Sequence, residues 1–159
     1  MVGGVHASRV PEDFADPGVD VIALGDGATL MPELLDAIER GRPLEEVPGL
    51  ALPTGGGADR EEDGGGALGF TPARPYMPHP DTLPFPRREL TAHLRRKYYY
   101  LTHRPLALVK TAWGCWYRCG FCFNWKVTGG HTYLRSPESV VEELASIRED
   151  EVYIVDDIF

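Results

Sequence analysis

"TAWGCWYRCGFCFNW", residues 111–125, holds all three cysteines of the chain, Cys115, Cys119 and Cys122, at the spacing C-x3-C-x2-C. An odd count does not make a closed disulfide set, and a closed tetrahedral metal site needs four ligands. Thiolates are soft donors that select zinc or iron–sulfur clusters. In a cubane cluster each of the four irons normally takes one thiolate, so three thiolates leave one iron open to an outside molecule. One loop can wrap three corners of such a cube while the fourth faces a pocket. Two plainer readings stand beside this one: a zinc ion completed by His131, the nearest histidine, or three spectator thiols in a core.

Outward from the loop, the flanking pattern sets the local fold. "PLALVKT" (105–111) reads as a strand running straight into the cysteines. "RSPESVVEELASIRED" (135–150) is a marked helix: Ser136 can cap it, Pro137 fits its first turn and Glu138 favours its dipole. Val140, Val141, Leu144 and Ile147 make its expected apolar stripe. "EVYIVDDIF" (151–159) is a second buried-type strand ending in two aspartates. Strand, loop, helix and strand give one right-handed βαβ unit over 105–159. A lone βαβ unit leaves its sheet edges and faces without partners, so the sequence is expected to be a fragment.

Upstream, "VDVIAL" (19–24) is a short apolar run of the kind found in buried parallel strands, and "VGG" (2–4) looks like the end of another. The helix "TLMPELLDAIERG" follows a glycine turn. Thr29 or Met31 is expected at its start, Pro32 in its first turn, Leu34, Leu35 and Ile38 on its buried face, and Gly41 at its stop. Residues 53–69 are glycine-rich and acidic and are expected to be a mobile loop, while 71–90 are proline-rich. A weak hairpin of "GLALP" and "ALGFTP" is expected around that loop. The organisation read from the sequence is therefore 1–52 as one partial domain, 53–104 as a connection ending in a basic linker helix, and 105–159 as the start of a second domain.

Composition narrows the functions. With 159 residues, 43% hydrophobic and 25% charged, the chain is of ordinary globular type. A net charge of −8 argues against a nucleic-acid backbone as the main partner. The basic, tyrosine-rich stretch 87–104 is read as a solvated linker rather than a single-strand-binding platform. No apolar run is long enough to span a membrane, and "MVGGVHASRV" is not a signal peptide. A clustered cysteine set without a secretion signal points to cytoplasmic metal or redox chemistry.

C-x3-C-x-aromatic-C, here Cys115, Cys119, Phe121 and Cys122 directly after a strand, resembles the signature of the radical S-adenosylmethionine superfamily. The resemblance implies a [4Fe-4S] cluster on the three cysteines, with S-adenosylmethionine chelated by the open iron and cleaved reductively to a 5′-deoxyadenosyl radical. It implies that Phe121 packs near the adenine and that Asp156 or Asp157, at a strand's C-terminal end, holds the methionine amino group. "GHTYLRSPESVVEEL" and "VYIVDDIF" look like the subgroup whose radical domain, a partial TIM-type barrel, follows a cobalamin-binding domain.

"GGVHAS", "VDVIALGDGATLMPELLDAIERG" and "VPGLAL" resemble the latter half of that Rossmann-like cobalamin-binding domain, and "LPFP" resembles its junction with the radical domain. The fold implied is thus α/β: the C-terminal part of a Rossmann-like domain, then the first βαβ unit of a barrel. Gly3, Gly4, Gly25 and Gly27, with His6, would line the cobalamin. The implied activity is that of a cobalamin-dependent radical enzyme, methyl transfer to an unactivated carbon being its typical reaction. The implied partners are a small-molecule or lipid-like substrate and an electron donor such as flavodoxin or ferredoxin. The alternatives are a cobalamin-independent radical cyclase or oxidoreductase and a non-enzymatic zinc-binding module. Trp113 and Trp116 depart from the arginine and proline common beside the first cysteine, and Ala28 stands where the subgroup often has acid.

Overall fold

Val2 and Ile22 lie side by side in parallel, with the Val2 amide donating to the Val21 carbonyl (3.0 Å) and the Ala23 amide to the Val2 carbonyl (2.8 Å). Both apolar runs read from the sequence therefore meet in one sheet. The computed structural model describes residues 1–54, 67–75 and 77–158, and these fall into two units, Met1–Pro78 and His79–Phe159. Of the mobile loop expected over 53–69, residues 55–66 lie outside the described residues and its two ends are strand.

In the first unit, helix α1 (Val5–Arg9) precedes strand β1 (Ile22–Ala23) and helix α2 (Gly27–Glu39). Strands β2 (Leu50–Thr54) and β3 (Ala67–Phe70) then pair antiparallel, the hairpin expected from "GLALP" and "ALGFTP". β2 also pairs antiparallel with β1, Ile22 opposite Ala51 and Ala23 opposite Leu50, so the sheet is mixed. The period of two sends the pairs to opposite faces. Ile22 and Ala51 pack with Ala7 of α1, whereas Ala23 and Leu50 pack with Leu30, Leu34 and Ala37 of α2. A helix thus covers each face.

α2 begins earlier than the pattern predicts. Asp26 caps it by accepting the Ala28 amide (2.9 Å), which places Gly27, not Thr29 or Met31, at the first helical position. Its buried face is Leu30, Leu34 and Ala37, while Leu35 and Ile38 are exposed. These three positions, i, i+4 and i+7, define a narrower stripe than the Leu34, Leu35, Ile38 face expected. The helix ends before Gly41, whose positive φ of 64° suits the stop.

The second unit opens with 3-10 turns over Pro80–Thr82 and Arg88–Lys97, the latter where the basic linker helix is expected. Strand β4 (Leu106–Val109) and β5 (Ala112–Gly114) follow, then α3 (Asn124–Val127), β6 (Thr132–Leu134), α4 (Pro137–Ser146) and β7 (Glu151–Ile154). β4 and β7 pair in parallel, Leu106 opposite Glu151 through Val109 opposite Ile154, with α4 in the crossover. The strand–loop–helix–strand order is therefore present. β5 and β6 add a short antiparallel ladder inside it. Ser136 caps α4 by accepting the Ser139 amide (3.2 Å), and Pro137 occupies its first turn, both as expected. Its apolar stripe differs: Val141 and Leu144 are exposed, and the buried residue is Glu143.

Candidate metal centre and cofactor loops

The β5–β6 ladder is a neck. Ala112 pairs with Leu134, Trp113 with Tyr133 and Gly114 with Thr132, so residues 115–131 leave and return at one place. All three cysteines lie beyond it. Cys115 and Cys122 are half-buried and Cys119 is exposed; none forms a disulfide. The Cys122 amide donates to the Cys119 carbonyl (3.1 Å), turning the chain between the last two thiols. The Trp125 indole donates to the same carbonyl (3.3 Å), tying α3 back to the loop. Phe121 is 95% exposed, which leaves its ring free for a ligand rather than serving a core.

Gly114 fixes the neck beside Cys115. Its φ is +83°, and a Cβ there would collide with the His131 carbonyl oxygen and lie 2.9 Å from the Thr128 side chain. Only glycine fits. The Gly114 amide donates to Asp157 Oδ2 (2.7 Å), which also receives the Lys110 ammonium (3.2 Å). Asp156 Oδ1 accepts the amides of Thr111 (2.6 Å) and Ala112 (3.0 Å), while its Oδ2 accepts the Thr111 hydroxyl. Both aspartates at the end of β7 are therefore brought to the stem of the cysteine loop.

Beneath them sits an ion-pair network that sequence patterning missed. Glu143 is 1% exposed and receives Arg88 (2.5 Å) and Arg135. Arg135 also donates to the Lys110 carbonyl (3.1 Å), and its own amide to the Thr111 carbonyl (3.0 Å). A buried carboxylate is tolerated only when paired in this way. The available signal was an acidic residue at an inward helical position opposite basic ones, easily mistaken for a solvated face.

In the first unit the expected cobalamin loops are also adjacent. Gly3 and Gly4 follow Val2, and Gly25 and Gly27 follow β1, at the C-terminal ends of two parallel-paired segments, where ligand sites of α/β folds collect. Ser8 joins them: its hydroxyl donates to the Gly4 carbonyl (2.8 Å) and accepts the Gly25 amide (2.9 Å). Ser8 was not singled out from the sequence, since a serine in a short helix carries no distinctive pattern. His6 is paired with Asp13 (2.6 Å) and set edge-on to Phe14.

The donor chemistry of the cysteine loop suits an iron–sulfur group: three thiols on one exposed loop with a rigid stem. Among the described residues no three His, Cys, Asp or Glu side chains stand together at ligand spacing, neither the three thiols alone nor two thiols with His131. The loop therefore supplies the right atoms without already gathering them.

Along 98% of its length the chain is similar in fold to part of the solved cobalamin-dependent radical S-adenosylmethionine enzymes. In particular, it is 34% identical over 163 residues to the hopanoid C-3 methylase of Methylococcus capsulatus, a match covering 99% of this chain and 28% of the relative. Among solved structures it resembles the radical S-adenosylmethionine methyltransferase TsrM of Kitasatospora setae, with tryptophan substrate and a cosubstrate analogue bound (TM-score 0.62, 24% identity, 98% of this chain and 29% of that one). It also resembles the cobalamin-dependent radical enzyme OxsB with aqua-cobalamin bound (TM-score 0.69, 20% identity, 98% of this chain and 20% of that one). The chain thus spans less than a third of each of these proteins. No family model matches it.

Proposed function

We propose that this chain carries the cluster-binding loop and part of the cobalamin-binding domain of a cobalamin-dependent radical S-adenosylmethionine enzyme, acting in methyl transfer to an unactivated carbon. The observation that carries this reading is the C-x3-C-x2-C loop set on a hydrogen-bonded neck at the C-terminal edge of a βαβ unit. Cys115, Cys119 and Cys122 hold a [4Fe-4S] cluster. When bound, that cluster supplies the electron for reductive cleavage of S-adenosylmethionine, and cobalamin supplies a methyl carrier.

The chain's own residues position these groups. Phe121 offers its exposed ring to the adenine. Asp157 is the better of the two aspartates for the methionine ammonium, because its bonds all fall on Oδ2 among the described residues, whereas both oxygens of Asp156 are engaged. Gly3, Gly4, Gly25 and Gly27 let a bulky ligand approach the backbone, with Ser8 holding the two turns together. The pairing of His6 with Asp13 leaves it a lesser role at that site.

The substrate is a small molecule or lipid-like compound, and the electron comes from a flavodoxin or ferredoxin. The clustered thiols, read as metal ligands of a reducing compartment, support a cytoplasmic location. No helix among the described residues is long and apolar enough to cross a membrane. Anaerobic reconstitution with iron and sulfide tests the reading. The expected product is brown, absorbs broadly near ~400 nm and holds about four irons per chain. Alanine at any one of the three cysteines is expected to abolish cluster retention. A colourless protein with one zinc, or a full cluster on Cys119→Ala, defeats the assignment.

A further inference from the structure

We infer that Asp156 is a positioning residue for the cluster loop: it clamps the corner at Thr111 and Ala112 from which Cys115 is presented, and does not bind the cosubstrate itself. This rests on the assignment of the three thiols to a cluster. The corner is where the chain leaves one sheet for another. β4 ends at Val109 in parallel pairing with β7, and β5 starts at Ala112 in antiparallel pairing with β6. The change of partner takes the Thr111 and Ala112 amides out of the β4–β7 ladder.

Asp156 satisfies both amides with Oδ1 and takes the Thr111 hydroxyl with Oδ2. From the other side, Arg135 satisfies the Lys110 carbonyl through its guanidinium and the Thr111 carbonyl through its amide. The corner is thus held from two sides, and Ala112 is buried while Lys110 and Thr111 are half-buried. Cys115 follows three residues later, across Gly114, whose conformation and contacts leave no slack. A shift at the corner is therefore passed to the first thiol. An ammonium reaching Asp156 would have to compete with three fixed donors, two of them backbone amides that have nowhere else to go.

The carboxamide variant separates positioning from ligand binding. In Asp156→Asn, Oδ1 still accepts both amides, and Nδ2 donates to the Thr111 hydroxyl, which turns its own proton away. Asp156→Ala loses all three bonds, and Thr111→Val loses only the hydroxyl bond. The test is anaerobic reconstitution of the chain and these variants. It reads iron per chain, the rate of cluster loss to a chelator, and the electron paramagnetic resonance spectrum of the dithionite-reduced cluster, with circular dichroism as a check of folding.

The Asn variant is expected to match wild type in all three readouts. The Ala variant is expected to lose its cluster about tenfold faster or more, with a broadened spectrum, in the range found when groups orienting metal ligands are removed. Thr111→Val is expected to fall between them with an unchanged circular dichroism spectrum, and it decides the matter if the Ala variant does not fold. If Asn fails as Ala does, the negative charge is what matters and the inference is wrong. If Ala, or Thr111→Val where Ala does not fold, behaves as wild type, the clamp positions nothing. A wild-type chain that takes up no cluster defeats the cluster assignment instead, and with it this inference.

Discussion

At the scale of single residues, the sequence marks the three cysteines by type and spacing, and the structure places all three on one loop beyond the β5–β6 ladder. The neighbours that hold them are not so marked. Gly114 reads as an ordinary glycine until its positive φ and its contact with the His131 carbonyl are seen. Ser8 and Glu143 likewise owe their importance to partners distant in sequence, Gly25 for one and Arg88 for the other. Gly114→Ala is expected to destabilise the second unit by at least about 1–3 kcal/mol, the usual cost of a residue forced into sparsely populated backbone space. It should also weaken cluster retention. Thermal melting and iron content check both, and a variant that melts and binds as wild type does would contradict the packing described.

At the scale of elements, patterning located the strands and helices but not always their buried faces. Alternation and capping are local signals, so α2, α4 and the β2–β3 hairpin emerge from them. Which side of α4 faces inward depends on Arg88 and Arg135, and no period of apolar residues records that. Replacing Glu143 by Leu is expected to leave two arginines facing each other at a buried position and to cost about 3–5 kcal/mol, measured by denaturant unfolding. A loss under ~1 kcal/mol would mean that the network is a surface pair in effect.

The start of α4 carries a pH dependence. Asp81 accepts the Ser136 amide through both oxygens (2.9 and 3.2 Å), and this bond holds its carboxyl below the ordinary value of 3.8. A carboxyl with a depressed folded-state pKa stabilises the fold fully above its unfolded value and loses that contribution as pH falls through the folded one. Stability should therefore fall below about pH 4, and Asp81→Asn should remove part of that slope in acid titrations followed by circular dichroism.

At the scale of the molecule, the α/β character and the order of motifs were visible in the sequence because both depend on succession along the chain. The antiparallel β1–β2 pairing was not, since "VDVIAL" carries no mark of its partner's direction. The basic stretch shows the same gap between composition and role. Arg88 and Arg95 are consumed by Glu143 and Glu149 within the second unit, and Arg87 pairs with Glu89. Three of the six cations of the stretch are thus engaged by carboxylates, and the net charge of −8 opposes phosphates. Fluorescence anisotropy with a labelled single-stranded oligonucleotide is expected to show no salt-dependent binding. Tight binding that weakens steeply with salt would overturn this.

The neck also has a history in time. Its strands meet across at most 22 residues, from Ala112 to Leu134, whereas β4 meets β7 across 45, from Leu106 to Glu151. Local pairings are reached sooner by a folding chain than distant ones. The antiparallel ladder can thus form while the aspartates that lock its base are still unattached, because they arrive only with the last strand. During that interval the three thiols lie on a loop closed at its stem but not yet anchored by Asp156 and Asp157, so on the proposed assignment iron and sulfide can enter before the last strand pairs.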